Sequence, residues 1–209
     1  GDYLLATSLV HAELTNSHQI IRLVSSLGQD LADGELLQLS NVSNHSFSET
    51  VYFDVIRKKT AALFAACTAA AVGVSEEEVK LARLLGEYIG ICFQIKDDIF
   101  DYFDSKEIGK PTGNDMLEGK LTLPVLYALN RANDNQATEI ALKVKEGTAT
   151  LDEIARLIAF TKENGGIEYA VRTMNAYKQK AFGLLASLPD SAICVALRSY
   201  LDYVVDREK

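Results

Sequence analysis

The stretch SEEEVKLARLLGEYIGICFQIKDDIFD, residues 75–101, decides how the rest of the chain is read. Ser75-Glu76-Glu77-Glu78 has the form of a capping box, with a hydroxyl for the first free N–H groups and acids where the helix dipole favours them. The helix it opens has room to run to about Phe103. Near its far end stand Asp97, Asp98 and Asp101. At about 100° per residue Asp97 and Asp101 lie about 40° apart, and Asp98 lies about 60° from Asp101, so the three are expected to point roughly one way. Asp is a poor helix-interior residue, like charges at i, i+4 repel, and the C-terminal dipole opposes them as well. Set between Ile95, Ile99 and Phe100, such a cluster is relieved by a hard divalent cation, and carboxylate oxygen is the donor that Mg²⁺ selects. The competing reading is a solvated acidic face paired with Lys96 and Lys106. An EF-hand calcium loop does not fit, because no D-x-D-x-D-G run occurs.

Outward from this helix the chain reads as helix after helix. Upstream, Leu4, Leu5, Leu9 and Leu14 suggest one helix through Glu13. Ile20, Ile21, Val24, Leu27, Leu31, Leu36 and Leu39 keep helical spacing over about 18–39. After the polar stretch 41–48, Ser48 is placed to cap a long Ala-rich helix ending near Val72-Gly73. Downstream, Asp104 to Gly119 carries Gly109, Pro111, Gly113 and Gly119 and reads as the clearest loop. Thr122 and Pro124 suit the next helix start. Further helices are expected over about 136–146, 151–164, 166–187 and 191–206, with stops at Gly147 and Gly165-Gly166. No alternating strand pattern appears, so the expectation is a single all-α domain over residues 1–209.

Composition narrows the function. The 209 residues carry a net charge of −8, and such an average field repels nucleic-acid phosphates, although a local basic pocket can still hold one. No apolar run is long enough for a transmembrane span, so no stable membrane insertion is expected. Cys67, Cys92 and Cys194 are widely spaced in apolar helical settings and read as buried free thiols of a cytoplasmic protein. The chain starts Gly1-Asp2-Tyr3 inside an amphipathic pattern, which reads as a piece of something longer.

The loop past the acidic helix sharpens the chemistry. Gly109-Lys110-Pro111-Thr112-Gly113-Asn114-Asp115 leads to Glu118-Gly119-Lys120-Leu121-Thr122-Leu123-Pro124. Lysines on a Gly-rich loop beside carboxylates suit a diphosphate held between metal and ammonium groups.

Those segments, with Phe93-Gln94-Ile95-Lys96-Asp97-Asp98-Ile99-Phe100-Asp101, resemble the second aspartate-rich region of the trans-isoprenyl (polyprenyl) diphosphate synthase family. Lys59-Thr60 matches its Lys-Thr pair, Gly34-Glu35-Leu36-Leu37-Gln38 its upstream helix motif, and Gly1-Asp2-Tyr3-Leu4-Leu5-Ala6 a helix opening. The likeness runs the length of the chain in the expected order and resembles bacterial octaprenyl members in general character. It implies the isoprenoid synthase fold, a bundle of long, mostly antiparallel helices around a central cavity, here without the family's N-terminal helices, and a homodimer. It implies that Asp97, Asp98 and Asp101 bind Mg²⁺ bridging to an allylic diphosphate. Lys59, Lys110 and Lys120 would neutralise diphosphate oxygens, while Thr60 and Gln94 line the cavity beside the allylic chain. The other implied substrate is isopentenyl diphosphate.

The sequence departs from the family in one respect. It contains a single Asp-Asp-x-x-Asp, at Asp97, where the family has a second, more N-terminal one. Residues 1–209 alone are therefore expected to elongate little or nothing. The alternatives are a non-catalytic partner subunit, a helical Mg²⁺-binding module, and a terpene cyclase of similar fold. The all-carboxylate motif speaks against the last. His11, His18 and His45 form no metal pattern.

Overall fold

The computed structural model describes residues 1–42, 46–72, 75–103, 112–188 and 191–208, and every described element is helical. Two helices, α1 (Asp2–Leu14) and α2 (His18–Val42), precede a long helical rod. The rod comprises α3 (Glu49–Ile56), a π-helical turn (Arg57–Ala61) and α4 (Ala62–Ala71). Then come α5 (Glu76–Phe100), the short α6 (Asn114–Leu117), α7 (Leu123–Ala132), α8 (Asn135–Glu146), α9 (Leu151–Glu163), α10 (Gly166–Ala186) and α11 (Ala192–Asp206).

The starts follow from side-chain caps. Ser48 accepts the N–H of Val51, Asp134 that of Ala137 and Ser191 that of Cys194. At Ser75 the hydroxyl accepts the N–H of Glu78 but donates to the Glu78 carboxylate at 2.9 Å, so the reciprocal box expected there is replaced by a side-chain pair. The complete box forms at Thr150, whose hydroxyl accepts the Glu153 N–H while Glu153 accepts the Thr150 N–H. Gly147 and Gly165 take positive φ of 68° and 73° at helix boundaries, where stops are expected.

The rod is the one Ala-rich helix expected from Ser48, with a π-turn in it that periodicity does not announce. α5 ends at Phe100 rather than Phe103, because Tyr102 and Phe103 bond back to Ile99 and Phe100 in tighter i+3 turns. The region expected to be loop throughout holds α6. Its entry needs Gly113 at φ 81°, and Asp101 accepts the N–H groups of Asn114 and Asp115 at its start. Residues 104–111, including Lys106, Lys110 and Gly109, lie outside the described residues, as does His45.

α5 is the central element. Its Leu85, Ile89, Ile91, Cys92, Ile95 and Ile99 are buried among α4, α10, α7, α11 and the π-turn. Each fully buried Leu or Ile contributes roughly 1.5–3 kcal/mol. The rod can lie this close to α5 because Gly86 and Gly90 face it. A Cβ at Gly90 would stand 2.6 Å from Ala61 Cα. Gly90→Ala is therefore expected to lower the unfolding free energy by about 1–3 kcal/mol in urea titrations. Gly28→Ala, inside α2 with nothing within 4 Å of the added atom, should raise it by up to about 1 kcal/mol. Equal effects from the two would contradict this packing.

Of the three cysteines expected to be buried, Cys92 and Cys194 are, and all three are free, but Cys67 is exposed. It sits on the outer face of α4, where helical phase turns it away from the Ala65 and Ala69 stripe that meets the core. Among the described residues no helix is long and apolar enough to cross a membrane. α1 packs on α2 and leaves Tyr3, Leu4, Leu5, Val10 and Leu14 exposed.

Candidate active site

Three elements bring the site together. The π-turn presents Lys59 and Thr60 side by side, α5 presents Gln94 and Asp98 one turn apart, and the segment after α6 presents Lys120. α2 reaches the π-turn at Gly34, where a Cβ would lie 2.9 Å from Lys58 Cβ and from the Lys59 nitrogen. These side chains line a cavity of about 240 Å³ together with Gln38, Tyr52, Asp115 and Lys145.

A row of hydrogen bonds runs along one wall. Thr60 Oγ1 donates to Gln94 Oε1 at 2.7 Å, and Gln94 Nε2 donates to Asp98 Oδ1 at 2.8 Å. Tyr52 OH donates to the other oxygen, Asp98 Oδ2, at 2.5 Å. Asp98 is only 2% exposed. Burial, followed by the charge of Asp115, pushes its carboxyl up to about 7, even though the bonds from Tyr52 and Gln94 pull it the other way. Burial and then Asp101 likewise raise Asp115 to about 6.

The three acids of the motif do not point one way. Asp98 turns inward. Asp97 is partly exposed and pairs with Arg207 of the segment after α11. Asp101 reaches across to the N–H groups of Asn114 and Asp115 at 2.9 and 3.1 Å. Asp97 and Asp98 are neighbours, so a helix sends them about 100° apart. Which partner each then finds depends on residues far along the chain.

The lysines also divide. Lys59 Nζ lies 2.6 Å from Glu35 and donates to Gln38 Oε1 at 2.5 Å. Lys120 pairs with Glu118. Lys110 falls outside the described residues. Lys145, 6% exposed, donates to the carbonyls of Asn41 and Ser46 at 2.9 and 2.7 Å and ties the end of α2 to α8. Its burial lowers the ammonium's pKa from its ordinary value.

Sequence reasoning missed Tyr52, Gln38, Lys145 and Arg207. Tyr52 and Arg207 act across 46 and 110 residues, a separation that no local pattern signals. Asp115 could have been found: it stands in the Gly-rich stretch between Lys110 and Lys120.

Among the described residues no three His, Cys, Asp or Glu side chains gather round one point. The donors are nonetheless all hard oxygens, and the carboxyls of Asp98 and Asp115 are held well above their ordinary range by burial and by the charge of neighbouring acids. That chemistry fits Mg²⁺, which keeps several waters and takes one or two carboxylates plus substrate phosphate oxygens instead of an all-protein cage.

The polar row, Lys59, Lys120 and the carboxyls of Asp98 and Asp115 thus surround one cavity in an all-α bundle. Residues 1–161 match the polyprenyl synthetase family model, and the chain belongs to that family. It is 34% identical over 211 residues to octaprenyl diphosphate synthase of Haemophilus influenzae, covering 99% of this chain and 64% of that protein. Its fold is shared, at TM-score 0.95 and 80% identity, with geranylgeranyl pyrophosphate synthase from Bacteroides thetaiotaomicron, over 99% of this chain and 69% of that one. A polyprenyl synthase from Caulobacter crescentus CB15, complexed with calcium and isoprenyl diphosphate, matches at TM-score 0.90 and 30% identity, over 100% of this chain and 65% of that one. The chain thus spans just under two thirds of the H. influenzae relative.

Proposed function

We propose that these residues form the diphosphate-holding part of a Mg²⁺-dependent prenyltransferase that joins an allylic diphosphate to isopentenyl diphosphate. The observation that carries this is the Thr60–Gln94–Asp98–Tyr52 row facing the same cavity as Lys59 and Lys120. Lys59 and Lys120, with Lys110, hold the diphosphate oxygens and stabilise the charge that departs when the allylic C–O bond breaks and its electron pair leaves with diphosphate. Thr60 and Gln94 present oxygen to the allylic cation, and the packed wall keeps water away from it. The double bond of isopentenyl diphosphate closes the new C–C bond, and loss of a proton restores an alkene. Mg²⁺, when bound beside Asp97, Asp98 and Asp101, supplies the remaining charge neutralisation.

The name of the 80% identical structure favours a geranylgeranyl-length product over the octaprenyl one. Exposed Tyr3, Leu4, Leu5, Leu36 and Leu39 on α1 and α2 support burial of that face in a homodimer, and the free thiols support a cytoplasmic setting. These residues are read as one all-α unit, the C-terminal portion of the synthase.

An assay with an allylic diphosphate, labelled isopentenyl diphosphate and Mg²⁺ tests the proposal. With one Asp-Asp-x-x-Asp in the 209 residues, this polypeptide by itself is expected to show little elongation, yet to bind Mg²⁺-pyrophosphate. Absence of any pyrophosphate binding would remove the proposal, and full turnover would remove the role given to a second acidic motif.

A further inference from the structure

The C-terminal segment reaches the acidic motif through one side chain. α11 stops at Asp206, and Arg207 leaves the helix at φ −54°, ψ 140° while its N–H still bonds the Tyr203 carbonyl at 2.9 Å. Lys178 fixes the end of that helix, with Nζ 2.7 Å from Asp202 and 3.6 Å from Asp206. From this anchored position the Arg207 guanidinium lies 4.1 Å above the Phe93 ring and 5.5 Å from that of Phe100. Its Nη2 donates to the Phe93 carbonyl at 3.1 Å and to Asp97 Oδ1.

The seat is close but incomplete. Arg207 is 14% exposed, so most of its hydration is gone, yet its Nε is buried with no hydrogen-bond partner. Nη2 engages Asp97 while Nε, the other prong of the same edge, engages nothing, so the side-on fork that makes Arg–carboxylate pairs strong is not formed. A buried unpaired donor destabilises this arrangement and favours exchange for another cation. Because Lys178 holds Asp206, Arg207 can let go without unwinding α11.

We propose that Arg207 is the resident counter-ion of Asp97, and that a divalent cation binding at Asp97 must displace it, so that metal binding and release of the C-terminal segment are one coupled event. The proposal rests on Asp97 being a metal ligand, as read above. Two cations cannot share one carboxylate face at contact distance without repelling each other. Coupling is reciprocal: whatever factor Arg207 takes from metal affinity, metal takes from the hold on Arg207.

The test uses residues 1–209 with inorganic pyrophosphate and Mn²⁺, reading bound and free Mn²⁺ by electron paramagnetic resonance. Arg207→Ala is expected to bind Mn²⁺ about 5- to 20-fold more tightly, Arg207→Lys by an intermediate factor, and Asp97→Asn to weaken binding and cancel the gain in the double variant. In the unaltered chain, Mn²⁺ should speed tryptic cleavage of the Arg207–Glu208 bond by a similar factor. If Asp97→Asn weakens Mn²⁺ binding while Arg207→Ala leaves it unchanged or weaker, the latch is wrong and the metal site stands. If Asp97→Asn has no effect, the site reading falls and the latch with it. Should Arg207→Ala fail to fold, Arg207→Lys and the metal dependence of cleavage decide the matter.

Discussion

Lys59→Ala is expected to weaken Mg²⁺-pyrophosphate binding about 10- to 100-fold, whereas Lys58→Ala, one residue away, should leave it within about twofold. The two lysines differ only in where the π-turn sends them. Lys58 reaches out to Asp33 at 3.3 Å, on the surface. Lys59 points at the cavity, held by Glu35 and Gln38 until an anion offers a better partner. A hydrogen bond to a charged group contributes roughly 1.5–3 kcal/mol, which sets the size of the loss. The two side chains are about equally buried, at 41% and 38% exposed, so both variants should unfold at similar urea concentrations. Isothermal titration calorimetry on the two side by side is decisive, and similar losses from both would mean that Lys59 is merely one more surface charge.

The other large effect concerns acidity and stability. Asp98 has an ordinary value of 3.8 and a folded value of about 7. Between these the folded state holds a proton that the unfolded state has lost, so unfolding free energy falls as pH rises. The stabilisation is complete below about 3.8 and is gone once pH passes about 7. Asp115, raised to about 6, acts in the same direction. Without divalent metal, the chain is expected to lose about 2 kcal/mol between about pH 5.5 and pH 8, since a tenfold change in proton affinity corresponds to about 1.4 kcal/mol. Asp98→Asn should flatten most of that slope, whatever it does to absolute stability, because the amide carries no charge at either pH. Mg²⁺ with pyrophosphate at the higher pH should restore part of the loss in the unaltered chain. Urea titrations at the two pH values check this, and a slope that survives Asp98→Asn unchanged would show that burial of this carboxyl is not its source.

The helices were readable because their ends carry strong local chemistry. Ser48, Thr150 and Ser191 cap where hydroxyls precede apolar runs, and Gly147 and Gly165 stop where only left-handed backbone continues. α6 was not readable, since four residues have no period and its start is completed by Asp101, which lies just past the end of α5. The site divides along the same line. Asp98 and Lys120 were picked out by residue type and neighbourhood, Lys59, Thr60 and Gln94 by the family resemblance, and the cavity brings these five together. The direction of each acid was not predictable, because Asp97 and Asp98 are sorted by Arg207 and Tyr52, which helical geometry alone cannot place.

The π-turn at Arg57–Ala61 has a last consequence. In a regular helix, two adjacent residues such as Lys59 and Thr60 diverge by about 100°. The wider turn lessens that divergence, both residues line the cavity, and the alanines beyond it stay packed on α5. Grafting this rod from a straight helical scaffold, or trimming one residue from the turn, would rotate everything on one side of it, so the ligand-holding pair and the packing seam would no longer be in phase with each other.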